Sequence, residues 1–128
     1  MKLLLDTHLL LWAAADSERL SAAARRLIAD TDNERFFSAA SLWELAIKRA
    51  LGREDFQVDV SDLHDGLLNN SYSELPVRSA HAICVMSLPA IHKDPFDRIL
   101  VAQAMVEGMT LLTADPLVAQ YLGPVRKM

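Results

Sequence analysis

Apolar positions in this chain cluster in two distinct ways. Lys2-Leu3-Leu4-Leu5 and Thr110-Leu111-Leu112-Thr113-Ala114 are short and unbroken. A strand covered on both faces does not alternate, so these runs predict buried strands of a parallel sheet. Arg35-Phe36-Phe37-Ser38 predicts a third strand, and Glu74-Leu75-Pro76-Val77 a short edge strand, where proline is tolerated. Other segments carry helix formers bracketed by start and stop signals. A short helix with Trp12 is expected over 8–15, and Ser21 caps a helix over 22–29. Ser41-Leu42-Trp43-Glu44 opens a helix to about Leu51, stopped by Gly52. Phe56 to Val60 reads as extended or loop, and Ser61 as the cap of a helix through Asn69. A helix over Ser79 to Leu88 ends at Pro89. Asp94-Pro95 starts another that runs to Glu107 and stops at Gly108. A short helix at 116–122 and an extended piece from Pro124 to Lys127 complete the pattern.

Strands thus alternate with helices, which implies helices on both faces of a mostly parallel sheet. The length of 128 residues fits a single domain over 1–128, and an apolar fraction of 52% supplies its core. One cysteine, Cys84, rules out an internal disulfide and reads as a reduced core residue of a cytoplasmic protein. The leucines after Lys2 imitate a signal peptide, but Asp6 and His8 interrupt them. No uncharged run reaches the roughly 18–20 residues of a membrane span. Thirteen basic and seventeen acidic residues give a net charge of −4, which opposes indiscriminate nucleic-acid binding.

The charge matters more for where the acids fall. Asp6 ends the first strand, Asp115 follows the last long one, and Glu44 and Asp97 lie in the first turns of predicted helices. Taken singly, each has an ordinary explanation. Asp6 and Asp115 can cap helices, Ser41-x-x-Glu44 matches a capping box, and Asp97 suits a helix dipole. Asp94 caps its helix, which leaves Asp97 spare for chemistry. In a doubly wound sheet, however, strand carboxyl ends and helix N-termini share one edge, where ligands bind. Like charges gathered there call for a cation, and an all-oxygen set suits Mg²⁺ or Mn²⁺. Thr113 falls on the same side of an extended chain as Asp115 and can reach the same ion. The four histidines lack HExxH spacing, and no GxGxxG, Walker or GxSxG motif is present.

Leu4-Leu5-Asp6-Thr7-His8, Ser38-Ala39-Ala40-Ser41-Leu42-Trp43-Glu44, Asp94-Pro95-Phe96-Asp97-Arg98-Ile99-Leu100-Val101-Ala102-Gln103-Ala104 and Leu112-Thr113-Ala114-Asp115 together resemble a PIN-domain ribonuclease, more narrowly a VapC-type toxin of a toxin–antitoxin pair. The resemblance covers nearly the whole chain, and the DPFDR segment with its apolar helix is its most specific part. It implies a Rossmann-like three-layer α/β/α sandwich and Mg²⁺- or Mn²⁺-dependent RNA cleavage by an acidic quartet, carried over to Asp6, Glu44, Asp97 and Asp115. It also implies support from Thr113, a homodimer, and a small antitoxin that covers the acidic cleft.

Two ions roughly 3.5–4 Å apart can serve an in-line phosphodiester hydrolysis. Asp6 is then the shared or principal ligand, Asp97 and Asp115 complete the first ion's coordination, partly through water, and Glu44 orients the second ion or the attacking water. Arg98, Lys93, Lys48 and Arg49 are candidates to hold phosphates, although Lys48 and Arg49 read better as a solvated helix face. Two rivals remain: a phosphatase or phosphotransferase with Asp6 as nucleophile, and a non-catalytic interaction module.

Overall fold

The computed structural model describes residues 1–54 and 57–128; of the expected extended stretch 56–60, Phe56 lies outside the described residues. In chain order the elements are β1 (Lys2–Leu5), α1 (Thr7–Ala14), α2 (Ala22–Ala29), β2 (Glu34–Ser38), α3 (Ala39–Ala50), α4 (Val60–Asn69), β3 (Tyr72–Leu75), α5 (Ser79–Val85), α6 (Pro95–Glu107), β4 (Thr110–Thr113), a 3₁₀ turn (Val118–Gln120) and β5 (Val125–Lys127). The sheet runs β3-β2-β1-β4-β5 with every pairing parallel. The fold is the expected α/β architecture, and its sheet is wholly rather than mostly parallel.

Strand pleating explains how an unbroken apolar run serves two cores at once. Leu3, Leu5, Phe37 and Leu112 join one cluster with Leu9 and Leu10 of α1, Leu45 of α3, and Leu63 and Leu67 of α4. Leu4 and Leu111, with Phe36 packed alongside, join the other with Leu100, Val101 and Ala104 of α6. Leu3, Leu4 and Leu5 are all fully buried, as the continuous run predicts. Cys84 is half-buried against the second cluster. No helix among the described residues is long and apolar enough to cross a membrane.

Five boundaries depart from the sequence pattern, and one of them is α5, which ends at Val85 rather than Leu88, with turn bonds over 86–88 in its place. α3 begins at Ala39, because Ser38 ends β2 and accepts from the Ala40 N–H. Ser41 is therefore buried inside the helix, and the Ser41–Glu44 capping box does not form. α4 is capped by Asp59 rather than Ser61, through a bond from the Asp62 N–H. β3 occupies Tyr72–Leu75 instead of 74–77. Pro76 has no N–H to extend the ladder, and Tyr72 gains burial beneath the Arg35 guanidinium, 4.8 Å from the ring centroid. The expected helix at 116–122 shrinks to the 3₁₀ turn, because the chain must return to the sheet edge at Val125. At the end of α6, Gly108 takes φ 67°, the left-handed conformation that closes the helix and aims the chain into β4.

Candidate active site

The chain leaves β1 for β2 and β3 on one side, then jumps back to β4 on the other side of β1. The carboxyl ends of β1 and β4 therefore flank the topological switch point, where a crevice opens. The Asp6 N–H donates to the Leu112 carbonyl at 3.0 Å, which carries the β1–β4 ladder one residue beyond β1. Leu5 pairs with Leu112, so the next step sets Asp6 against Thr113. Thr113 Oγ1 donates to Asp6 Oδ2 at 2.5 Å, and Asp6 Oδ1 accepts from the Leu9 N–H at 2.8 Å. Asp6 is thus both the cap of α1 and a carboxylate at the head of the central strand. Burial pushes its pKa up, against the pull of these two hydrogen bonds; the nearby Asp115 adds to the rise.

Glu44 is also buried, and among the described residues its carboxylate bonds to side chains rather than to a helix cap. Thr7 Oγ1 donates to Glu44 Oε1 at 2.7 Å and lies 3.0 Å from Ser41 Oγ. Lys48, one turn on, reaches Glu44 Oε2 at 2.5 Å. Asp94 caps α6 by accepting from the Phe96 N–H, which leaves Asp97 in the first turn as expected. Burial is the main cause that raises the Asp97 pKa to about 7, and the charges of Asp94, Glu44 and Asp6 add to it. Those fields put Asp6 and Glu44 within electrostatic reach of Asp97, although among the described residues the group close enough to share one ion is Asp97 and Asp115 with His92, without Asp6 or Glu44.

Asp115 Oδ1 accepts from the Leu117 N–H at 2.8 Å, and the Asp115 N–H donates to Thr113 Oγ1 at 3.0 Å. Thr113 therefore links Asp6 and Asp115 through one hydroxyl. Asp115 Oδ2 and Asp97 Oδ2 each lie 3.2 Å from His92 Nε2. One ligand atom from each of these three residues falls within 4.8 Å of the other two. His92 is the member that sequence reasoning missed. It stands two positions before the Asp94 cap, but its meeting with Asp115 is a long-range contact that spacing does not reveal.

The basic residues separate. Arg98, expected to hold phosphate, points elsewhere: its guanidinium donates to the carbonyls of Val85, Leu88 and Pro89 and to the Tyr121 hydroxyl. It braces the segment between α5 and α6. Arg49 donates to the Val58 carbonyl, and Lys48 pairs with Glu44 as above. Lys93 is exposed beside His92 in sequence. Trp43, next to Glu44, is 65% exposed and meets Phe96, next to Asp97, edge-to-face at 5.3 Å. Away from the acids, a groove of about 940 Å³ runs along α1, α2 and α4, lined by Leu11, Trp12, Leu20, Ile28, Leu63 and Tyr72 among others.

Residues 3–121 match the family model described as PIN domain. The chain is 31% identical over 112 residues to ribonuclease VapC22 of Mycobacterium tuberculosis, covering 88% of this chain and 85% of that one. Its fold is similar to VapBC2 from Rickettsia felis bound to a fragment of promoter DNA, with a TM-score of 0.71 at 15% identity over 99% and 98% of the two chains. It is similar also to DNA-bound VapBC from Salmonella typhimurium, with a TM-score of 0.66 at 16% identity over 100% and 97%.

Proposed function

The chain belongs to the PIN domain family, in its VapC-type branch, and from that premise we propose that it is a divalent-metal-dependent endoribonuclease, the toxin of a toxin–antitoxin pair. The observation that supports this most is the gathering of more carboxylates than nearby cations at the switch point, where Lys48 pairs with one of the acids, Glu44. Asp97 is held near neutrality by burial and by Asp94, Glu44 and Asp6, a condition that a cation would relieve. The donor set fits a hard divalent ion: carboxylates of Asp6, Glu44, Asp97 and Asp115, with spare lone pairs on each. These four would hold Mg²⁺ or Mn²⁺. When bound, such an ion neutralises charge on a phosphate and makes water more acidic.

The protein's own groups do the rest. Thr113 and the Leu9 N–H hold Asp6 in one rotamer, and Thr7 and Lys48 do the same for Glu44. Lys93, exposed and next to His92 in the chain, is a candidate to draw a phosphate toward the cleft. Both oxygens of Asp6 already accept hydrogen bonds in a buried setting, which suits a ligand better than an in-line nucleophile; this disfavours the phosphatase reading. Glu44 caps no helix, which disfavours the interaction-module reading.

The apolar groove along α1, α2 and α4 suits an amphipathic segment of a small antitoxin. A homodimer would cover Ile83 of α5 and Met86 just beyond it with Met105 and Val106 of α6, all of them exposed. Incubation of total RNA with Mn²⁺ or Mg²⁺ tests the central reading. Wild type should cut and EDTA should stop it, with Asp6→Asn at least about 100-fold slower, the scale on which catalysis by electrostatic groups is lost. Cleavage that survives both EDTA and Asp6→Asn would refute it.

A further inference from the structure

His92, Asp97 and Asp115 bring one nitrogen and two oxygens close enough to be taken for a three-ligand metal site. The hydrogen bonding of the ring argues otherwise. The Asp94 backbone N–H donates to His92 Nδ1 at 3.0 Å. A ring nitrogen that accepts carries a lone pair, so the neutral imidazole bears its hydrogen on Nε2. An Nε2–H is a donor and has no lone pair for a metal. That single hydrogen points at Asp115 Oδ2, 3.2 Å away, while Asp97 Oδ2 stands at the same 3.2 Å from Nε2 as a close neighbour outside hydrogen-bond alignment.

The ring is itself held. The His92 N–H donates to the Tyr121 hydroxyl at 3.0 Å, and Tyr121 also accepts from Arg98 Nη1 at 3.1 Å. Arg98 is anchored on the Val85, Leu88 and Pro89 carbonyls. Asp94, which orients Nδ1, is fixed as the cap of α6. A chain of contacts thus ends in one N–H donated to Asp115 and set 3.2 Å from Asp97, two carboxylates that would otherwise repel and splay.

We propose that His92 is a positioning residue, not a ligand: its Nε2–H, donated to Asp115 and set against Asp97, holds the two carboxylates together in the arrangement that takes a divalent cation. This role rests on the metal-dependent reading above. Mn²⁺ affinity, measured calorimetrically without RNA, tests it in wild type, His92→Ala and His92→Gln. His92→Ala should bind Mn²⁺ about 10–100-fold more weakly, the usual cost of losing a group that orients a ligand. His92→Gln, whose amide N–H₂ reaches the place of Nε2, should recover most of that loss. Pulsed EPR of wild type with Mn²⁺ should show no directly coordinated nitrogen, and this holds as a test even if His92→Ala does not fold. Unchanged affinity in His92→Ala, no recovery in His92→Gln, or a coordinated nitrogen would each overturn the role of His92 while leaving the metal site intact. A wild-type protein that binds no Mn²⁺ would overturn both readings.

Discussion

Asp97 sits in the first turn of α6 with its pKa raised to about 7, and the sign of that shift has consequences for the bare fold. A carboxyl whose folded pKa exceeds its unfolded value binds the proton more tightly when folded. Between the ordinary 3.8 and about 7, the native chain holds a proton that the unfolded chain has lost. Stability of the metal-free protein should therefore fall as pH rises through that window and level off above it. Asp97→Asn should flatten the profile and raise the metal-free melting temperature at pH 7.5 by roughly 3–6 °C, read by calorimetry. A divalent ion competes with the same proton, so its apparent affinity should climb with pH up to about 7, with proton release detectable in buffers of different ionisation enthalpy. Thr113 gives a second test. Its hydroxyl serves both Asp6 and the Asp115 N–H, so the near-isosteric Thr113→Val should cost about 1–3 kcal/mol in urea titration by leaving buried groups unpaired. At this scale the acids and Thr113 were legible because each ends or starts a recognisable element. His92 and the bond from Thr7 to Glu44 were not, because Asp115 reaches His92, and Thr7 reaches Glu44, only through tertiary contact.

Among the elements, α6 was the easiest to read, since Asp94, Pro95 and Gly108 punctuate it at both ends. α3 was harder. Two serines precede it, Ser38 and Ser41, and the intervening alanines let the helix start at the earlier one. The capping-box pattern at Ser41 was therefore a coincidence of residue types, and Glu44 was released for the site. β3 slipped by two residues because Tyr72 could be buried and Pro76 could not pair. Arg98 shows what an element can take from a residue that sequence alone assigns to the ligand. Its donors close the α5–α6 connection, so Arg98→Lys, which cannot reproduce the forked geometry, should speed amide exchange across residues 86–94. If Arg98 instead serves phosphate, exchange there will not change and the salt dependence of RNA binding will.

For the molecule as a whole, strand order decides where chemistry can sit. The reversal between β1 and β4 lines up residues from both ends of the chain, and the proposed cation would join them. Mg²⁺ or Mn²⁺ should raise the melting temperature, since a ligand of the native state alone stabilises it. Asp6→Asn should abolish that rise while making the metal-free protein more stable, because it removes a buried charge. An Asp6→Asn protein with the wild-type metal response would place the ion elsewhere. The two tryptophans then divide the surface between them. Trp12 lines the groove and Trp43 lies against Phe96 at the rim of the acids, so each indole is a resident fluorophore for a different event. In Trp12→Phe, paramagnetic Mn²⁺ should quench the remaining emission. In Trp43→Phe, it should leave emission bright until a peptide fills the groove.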